Sequence, residues 1–334
     1  MQTRLTRALG IDHPILSAPM AFAAGGKLAA AVTEAGGLGL IGGGYGDADW
    51  LSRELTAAGR ARVGCGFITW SLAKNPNLLE LVLAWKPAAV MLSFGELAPF
   101  AQRIKTSGAA LICQVQTLAL AREAVAAGAD VLVAQGAEAG GHGQERTTFT
   151  LVPEIADYLA GAAPNTVLVA AGGIADGRGL AAALMLGADG ALIGSRFWAS
   201  AEALVAESLQ AAVIAADGDS TIRTTVVDIA RRIDWPKPFT ARVLKTRFAM
   251  EWHGREGELA QPDTLTREEA RHWHAYRGGD AENTCVLTGE AIGLIRDVAP
   301  AGDIIRRIVR EAEDLLAAHG KVPSGVTPST GTTN

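Results

Sequence analysis

Two strand ends that finish in glycine, Ala170-Ala171-Gly172-Gly173-Ile174 and Ile193-Gly194-Ser195-Arg196, lie one βα unit apart near the middle of the chain. Glycine has no Cβ, so an anion can approach the bare backbone N–H groups. A helix N-terminus beside them adds unpaired donors and a positive dipole end. Gly172-Gly173 and Gly194-Ser195 therefore read as a phosphate clamp of the kind expected after the last two strands of a (β/α)8 barrel. The sharpest single candidate for chemistry is His142, in Gln135-Gly136-Ala137-Glu138-Ala139-Gly140-Gly141-His142-Gly143. Two preceding glycines let the backbone bend and aim the ring inward. Imidazole is the side chain best suited to proton transfer near neutral pH, and it can also donate to an anionic substrate. The plainer reading is a loop histidine that makes an ordinary backbone hydrogen bond.

Other residues at strand ends are weaker candidates. Ala18-Pro19-Met20 ends the first strand, and Pro19 cannot continue a ladder, so this turn could face a flat ring over the barrel mouth. Gln114 ends the fifth strand and Thr69 follows the third; either could reach the mouth or simply cap a strand. Gly42-Gly43-Gly44-Tyr45-Gly46 lacks the Lys-Ser/Thr ending of a P-loop and the acidic ribose partner of a dinucleotide fingerprint, and reads as an active-site loop. In His272-Trp273-His274 the two histidines point to different faces of a helix, unlike an i, i+4 zinc pair, so no metal site is expected. No Gly-x-Ser-x-Gly elbow and no Cys-His nucleophile signature occurs.

The elements that must position these residues recur evenly. Strands are predicted at Ile15–Ser17, Gly39–Ile41, Val63–Phe67, Ala89–Leu92, Ala110–Gln114, Val131–Ala134, Val167–Ala170 and Ala191–Ile193. Most intervals are about 21–26 residues, enough for a strand, a helix and two loops. Small-residue helices fill several gaps, and turns such as Ala127-Gly128-Ala129-Asp130 and Leu186-Gly187-Ala188-Asp189 stop them with glycine. The reading is an α/β fold, a (β/α)8 TIM barrel over residues 1–200, with a doubly wound open sheet as its rival. One interval, from Val131 to Val167, stretches to about 36 residues and contains His142; in a barrel this loop opens on the C-terminal face.

After residue 200 the rhythm stops. Helices are predicted at Glu202–Ala216, Arg267–Ala275 and Asp303–His319, the second with a capping box from Thr266 and Glu269. Residues 201–320 read as a helical appendage or lid packed on the barrel, and 321–334, rich in Pro, Ser, Thr and Gly, as a disordered tail.

Composition agrees with this class. The 334 residues are 49% hydrophobic and only 5% aromatic, with 39 glycines, which suits repeated βα units. A formal net charge of −5 gives no hint of nucleic-acid binding. Cys65, Cys113 and Cys285 are far apart and form no CxxC pair, so neither a disulfide framework nor a zinc site is suggested. No apolar run of membrane-spanning length and no leader pattern is seen, so a cytoplasmic protein with no membrane partner is expected. A homo-oligomer is left open.

Taken together, these pieces resemble the nitronate monooxygenase family, formerly called 2-nitropropane dioxygenases. Its superfamily includes FMN-dependent enoyl-ACP reductases and NADH:quinone reductases. The resemblance rests on Ala18-Pro19-Met20, Ala35-Gly36-Gly37-Leu38-Gly39, the Gln135–His142 stretch, Ala171-Gly172-Gly173-Ile174-Ala175-Asp176-Gly177 and the run from Leu186 to Phe197, in family order. It implies an FMN-binding barrel. Ala18, Pro19, Met20, Gln114 and Gly140 would then lie at the flavin ring, and Ala171, Gly172, Gly173, Gly194 and Ser195 at its phosphate. His142 matches the family's active-site histidine. Many members carry asparagine after the third strand, where this chain has Phe67-Ile68-Thr69-Trp70, and Thr69 is the candidate for that contact. The activity implied is oxidation of an alkyl nitronate by O2 to a carbonyl compound and nitrite. The alternatives are an NAD(P)H-dependent flavin reductase of a quinone or enoyl thioester, and a non-redox barrel for a phosphorylated ligand.

Overall fold

The computed structural model describes residues 1–319, so the expected tail, 321–334, lies outside the described residues. Eight parallel strands form one sheet: β1 (Ile15–Ser17), β2 (Leu40–Gly42), β3 (Gly64–Ile68), β4 (Ala89–Ser93), β5 (Ala110–Val115), β6 (Val131–Gln135), β8 (Val167–Ala171) and β9 (Ala191–Ile193). Their order is β1-β9-β8-β6-β5-β4-β3-β2. The ring closes just before β2, where Leu16 pairs with Leu38 and Ser17 N donates to the Leu38 carbonyl at 3.1 Å. This is the (β/α)8 TIM barrel, and each predicted strand lies within one residue of its observed position.

The alternation of side chains along each strand builds two layers. Val131 and Val133 of β6 join Leu16, Leu40, Met91, Ile112, Val169 and Leu192 in a cluster that fills the barrel. Leu132 and Ala134 face the other way, into the larger layer between the strands and the surrounding helices. Both faces are dry, which is why these strands read as continuous apolar runs. Leu5 and Leu9 of the helix Arg4–Leu9 belong to the inner cluster.

The long loop after β6 contains a further short strand, β7 (Gly141–Gly143). It pairs antiparallel with β11 (Thr240–Leu244), which pairs with β10 (Thr221–Thr224). The segment after residue 200 is thus mostly helical, as expected, but it also contributes two strands that capture the barrel's longest loop. The expected 201–320 appendage needs a second correction. Helix Ala301–His319 packs against helices Gly177–Met185 and Gly26–Glu34, in the barrel's outer ring. Its apolar stripe, including Ile304, Ile305, Ile308 and Ala312, is buried in the strand–helix layer. The insertion therefore runs from about residue 200 to about residue 300, after which the chain returns to the barrel. The capping box at Thr266 is also overturned. The helix runs Pro262–Gly278, with Pro262 in its first turn, and the Thr266 hydroxyl donates back to the Pro262 carbonyl.

Candidate active site

The C-terminal ends of the strands open into a cavity of about 1390 Å³, counting its open mouth. Eleven of the twelve residues singled out from sequence line it: Ala18, Pro19, Met20, Gln114, Gly140, His142, Ala171, Gly172, Gly173, Gly194 and Ser195. Thr69 does not. It starts the short helix Thr69–Leu72, is 1% exposed, and sits behind the wall against Gly95. The third strand instead presents Gly66, Phe67 and Ile68 to the cavity.

One corner is built from backbone. Gly172 and Gly173 hold φ of +102° and +75°, left-handed values that strain any residue with a Cβ. Among the described residues, no acceptor takes the backbone N–H of Gly172, Gly173, Gly194 or Ser195. The Ser195 hydroxyl oxygen accepts from Gly289 N at 2.9 Å, leaving its own hydrogen to give. One expectation is revised: the N-terminus of the following helix, Gly177–Met185, is already capped by Asp176, which accepts from Gly179 N. The free donors are those of the two strand-end turns. They form a cradle that fits one phosphate group.

Backbone comes close on two sides of the cavity. Pro19 lies so close to Gly66 that a Cβ there would come within 2.3 Å of the proline ring. At the opposite side Gly140 packs on Thr288 and Gly289, where a Cβ would meet backbone at 2.5 Å. Between them Gln114 and Gln116 both donate to Gln135 Oε1, at 3.1 and 2.8 Å, and Gln135 donates to the His142 carbonyl at 3.0 Å. Gln114 is left with its carbonyl oxygen to offer the cavity. Backbone at the edges and one amide in the middle suit a planar heterocycle such as a flavin ring.

The other corner is built from side chains. His142 Nε2 lies 2.8 Å from Asp228 Oδ1, and both groups are buried. Its ring stacks on Trp235, centroids 3.4 Å apart and planes 7° from parallel. Trp235 Nε1 donates to the Tyr45 hydroxyl at 3.2 Å, and burial pushes the Tyr45 pKa up to about 12. Burial also pulls the His142 pKa below its ordinary value, and the Asp228 hydrogen bond and charge only partly oppose this. The neutral imidazole gives its Nε2 hydrogen to the carboxylate. That leaves Nδ1, which has no partner among the described residues, as an acceptor for the cavity. A neutral histidine held this way has a free acceptor nitrogen that can take up a proton. The three cysteines are buried, with their thiol pKa values pushed up by burial, so none is poised as a nucleophile.

Asp228, Arg231, Trp235 and Gln135 were not singled out from sequence. A signal existed for Asp228: it is a lone carboxylate inside the apolar run Val226-Val227-Asp228-Ile229-Ala230. Nothing in the sequence pairs it with a histidine 86 residues away.

A family described as nitronate monooxygenase matches residues 2–63 and 70–311. The stretch between the two matched segments holds β3 and Thr69. A nitronate monooxygenase of Metarhizium robertsii, npaC, is 37% identical over 338 aligned positions, covering 91% of this chain and 92% of that protein. Among solved structures, FabK from Thermotoga maritima superposes with a TM-score of 0.82 at 33% identity, covering 95% of this chain and 98% of that one. A nitroalkane oxidase from Streptomyces ansochromogenes does so with a TM-score of 0.78 at 26% identity, covering 94% and 99%.

Proposed function

The chain belongs to the nitronate monooxygenase family of flavin-dependent oxidoreductases, and on that premise we propose that it uses FMN and O2 to convert alkyl nitronates to carbonyl compounds and nitrite. The observation that carries this reading is the pairing of two corners in one cavity: free backbone donors for one phosphate, and a buried His142–Asp228 pair. When bound, FMN supplies the one-electron redox chemistry through which nitronate and O2 react. Gly172, Gly173, Gly194 and Ser195 hold its phosphate, and Ala18, Pro19, Met20, Gln114 and Gly140 border its ring.

His142 acts on the substrate. With Nε2–H committed to Asp228, Nδ1 accepts a proton from the carbon beside the nitro group of a neutral nitroalkane, and the nitronate forms in place. Asp228 steadies the ring and the imidazolium that results. The stacked Trp235 fixes the ring plane, and the aromatic wall of Tyr45, Phe94 and Trp235 keeps water from the acidic carbon.

The likeness to FabK supports a second reading, an NAD(P)H-dependent flavin reductase, since the same cradle and cavity would serve it. An anaerobic flavin spectrum of the purified protein separates the two. Rapid bleaching by an alkyl nitronate, and by neither NADH nor NADPH, is the expected result. Bleaching by a nucleotide alone moves the assignment to a reductase.

A further inference from the structure

Among the described residues two arginines are buried, and they are treated differently. Arg196 meets Asp297, Nη2 to Oδ1 at 3.0 Å. Arg231 is 7% exposed, yet no carboxylate among the described residues lies within ion-pair distance. Its Nε donates to His272 Nε2 at 3.2 Å, and its guanidinium lies over the rings of Trp273 and Tyr276, 5.3 and 5.8 Å from their centroids. Both Nη groups are without a hydrogen-bond partner among the described residues, and Arg231 lines the cavity. A buried guanidinium cannot shed its charge, so this arrangement calls for an anion.

The support is specific. Arg231 only donates, so His272 Nε2 accepts; the neutral ring's proton then sits on Nδ1, facing the Thr284 hydroxyl at 3.0 Å, and the longer 3.4 Å approach of Cys285 N to that nitrogen is not a hydrogen bond in this tautomer. Burial and the neighbouring arginine pull the His272 pKa down to about 3, which keeps that ring neutral and able to accept. Asp228 is three residues before Arg231 on the same helical turn, Val226–Ala230 and its cap, but its Oδ1 is committed to His142. One short helix thus delivers the carboxylate that orients the base and the cation that faces the same cavity.

We propose that Arg231 is the specificity-determining residue of the substrate cavity, anchoring a planar two-oxygen anion of the substrate, and that His272 is the positioning residue that aims it. The fork of a guanidinium matches the two oxygens of a carboxylate or of a nitronate. The division of labour with His142 follows: a neutral histidine whose free nitrogen is an acceptor is poorly suited to hold an anion, and Arg231 takes that role. The choice of substrate deepens the nitronate reading, whereas the anion anchor itself does not depend on it.

The test uses the flavin-loaded protein and begins with a pair of non-reacting probes of equal shape, propionate and propionamide, read by perturbation of the flavin spectrum. Wild type is expected to bind propionate at least about tenfold more tightly than propionamide, and Arg231→Met to lose that preference while keeping its affinity for propionamide. Arg231→Lys should keep part of it. His272→Gln, whose amide oxygen can still accept from Nε, should retain more of the preference than His272→Phe. Kinetics then locate the anion. A raised KM for both butyl nitronate and its terminally carboxylated analogue in Arg231→Met means that the nitronate is anchored; a rise for the carboxylated compound alone means that the remote carboxylate is. Equal affinity of wild type for the two probes overturns the proposal, and that comparison needs no variant to fold. Propionate selectivity that survives in Arg231→Met overturns it as well. Selectivity without nitronate turnover would keep the anchor and remove the nitronate reading.

Discussion

The two corners of the cavity are made in opposite ways. The donor cradle is backbone: four N–H groups at the ends of β8 and β9, supplied by consecutive βα units and free because glycine permits the turn. The base corner is side chain: a histidine on β7, an aspartate on a helical turn 86 residues later, and a tryptophan stacked flat upon the histidine. The first corner is inherited from the barrel's repeat. The second exists only because β11 pairs with β7, setting His142 opposite Ala241, while Arg223 and Arg242 both donate to the Ala137 carbonyl and tie down the loop. Binding and chemistry should therefore be separable by mutation.

The largest effect is expected at the base. His142→Ala should lower kcat/KM for a neutral nitroalkane by about 10²–10⁴-fold, with the bound-flavin absorbance of the purified protein unchanged. Turnover at the wild-type level would remove His142 from the mechanism. Asp228→Asn should cost about 10²-fold, mostly in kcat, because an amide can hold the ring in either tautomer. Should that variant keep full activity, the pair is structural and the two corners do not differ as described. The reciprocal change is Gly172→Ala, at φ +102° with the new Cβ 2.9 Å from Thr148 Oγ1. Flavin affinity, followed by fluorescence of released flavin, should weaken about tenfold, while kcat at saturating flavin stays near wild type. A fall in kcat with no loss of flavin would merge the two corners into one.

Acid should sharpen the contrast through the base corner alone. The His142 pKa is pulled down, so its neutral form persists below the ordinary histidine range. The kcat/KM profile for a nitroalkane should thus be flat near pH 7 and fall only on the acid side of about 6.5. A descending limb at or above pH 7 would mean a different base. The smallest effect concerns stability. His272 stays neutral in the folded protein down to about pH 3, whereas in the unfolded chain it titrates at its ordinary value. Between those values the unfolded state binds the extra proton, so this contribution is intact above about 6.5 and is lost as pH falls, by up to about 1.4 kcal/mol per pH unit. Comparing urea midpoints at pH 7 and pH 5, His272→Gln should show a shallower loss than wild type. Equal slopes would mean that His272 is not the group that titrates.

The barrel and its backbone corner are legible in the order of residues along the chain. Runs such as Val131–Ala134 and Val167–Ala170 are apolar on both faces, glycines stop the helices between them, and an even spacing leaves few other arrangements. These are local properties, and the glycine-rich strand ends with free N–H groups are local too. His142 was visible because its glycines are its neighbours. Thr69 failed because a strand end gives proximity to the mouth but not direction, and here the chain coils into a helix that turns the hydroxyl away. The short strand Gly141-His142-Gly143 has no β-forming composition and becomes a strand only when β11 supplies its partner. Only the folded chain sets Asp228 against His142, lays Trp235 flat upon it, brings Arg231 to His272, and returns the last helix to the barrel's outer ring. Each of these joins residues far apart in the chain, and the energy that selects them, the shared burial of charge and aromatic surface, appears only once the insertion folds over the barrel mouth.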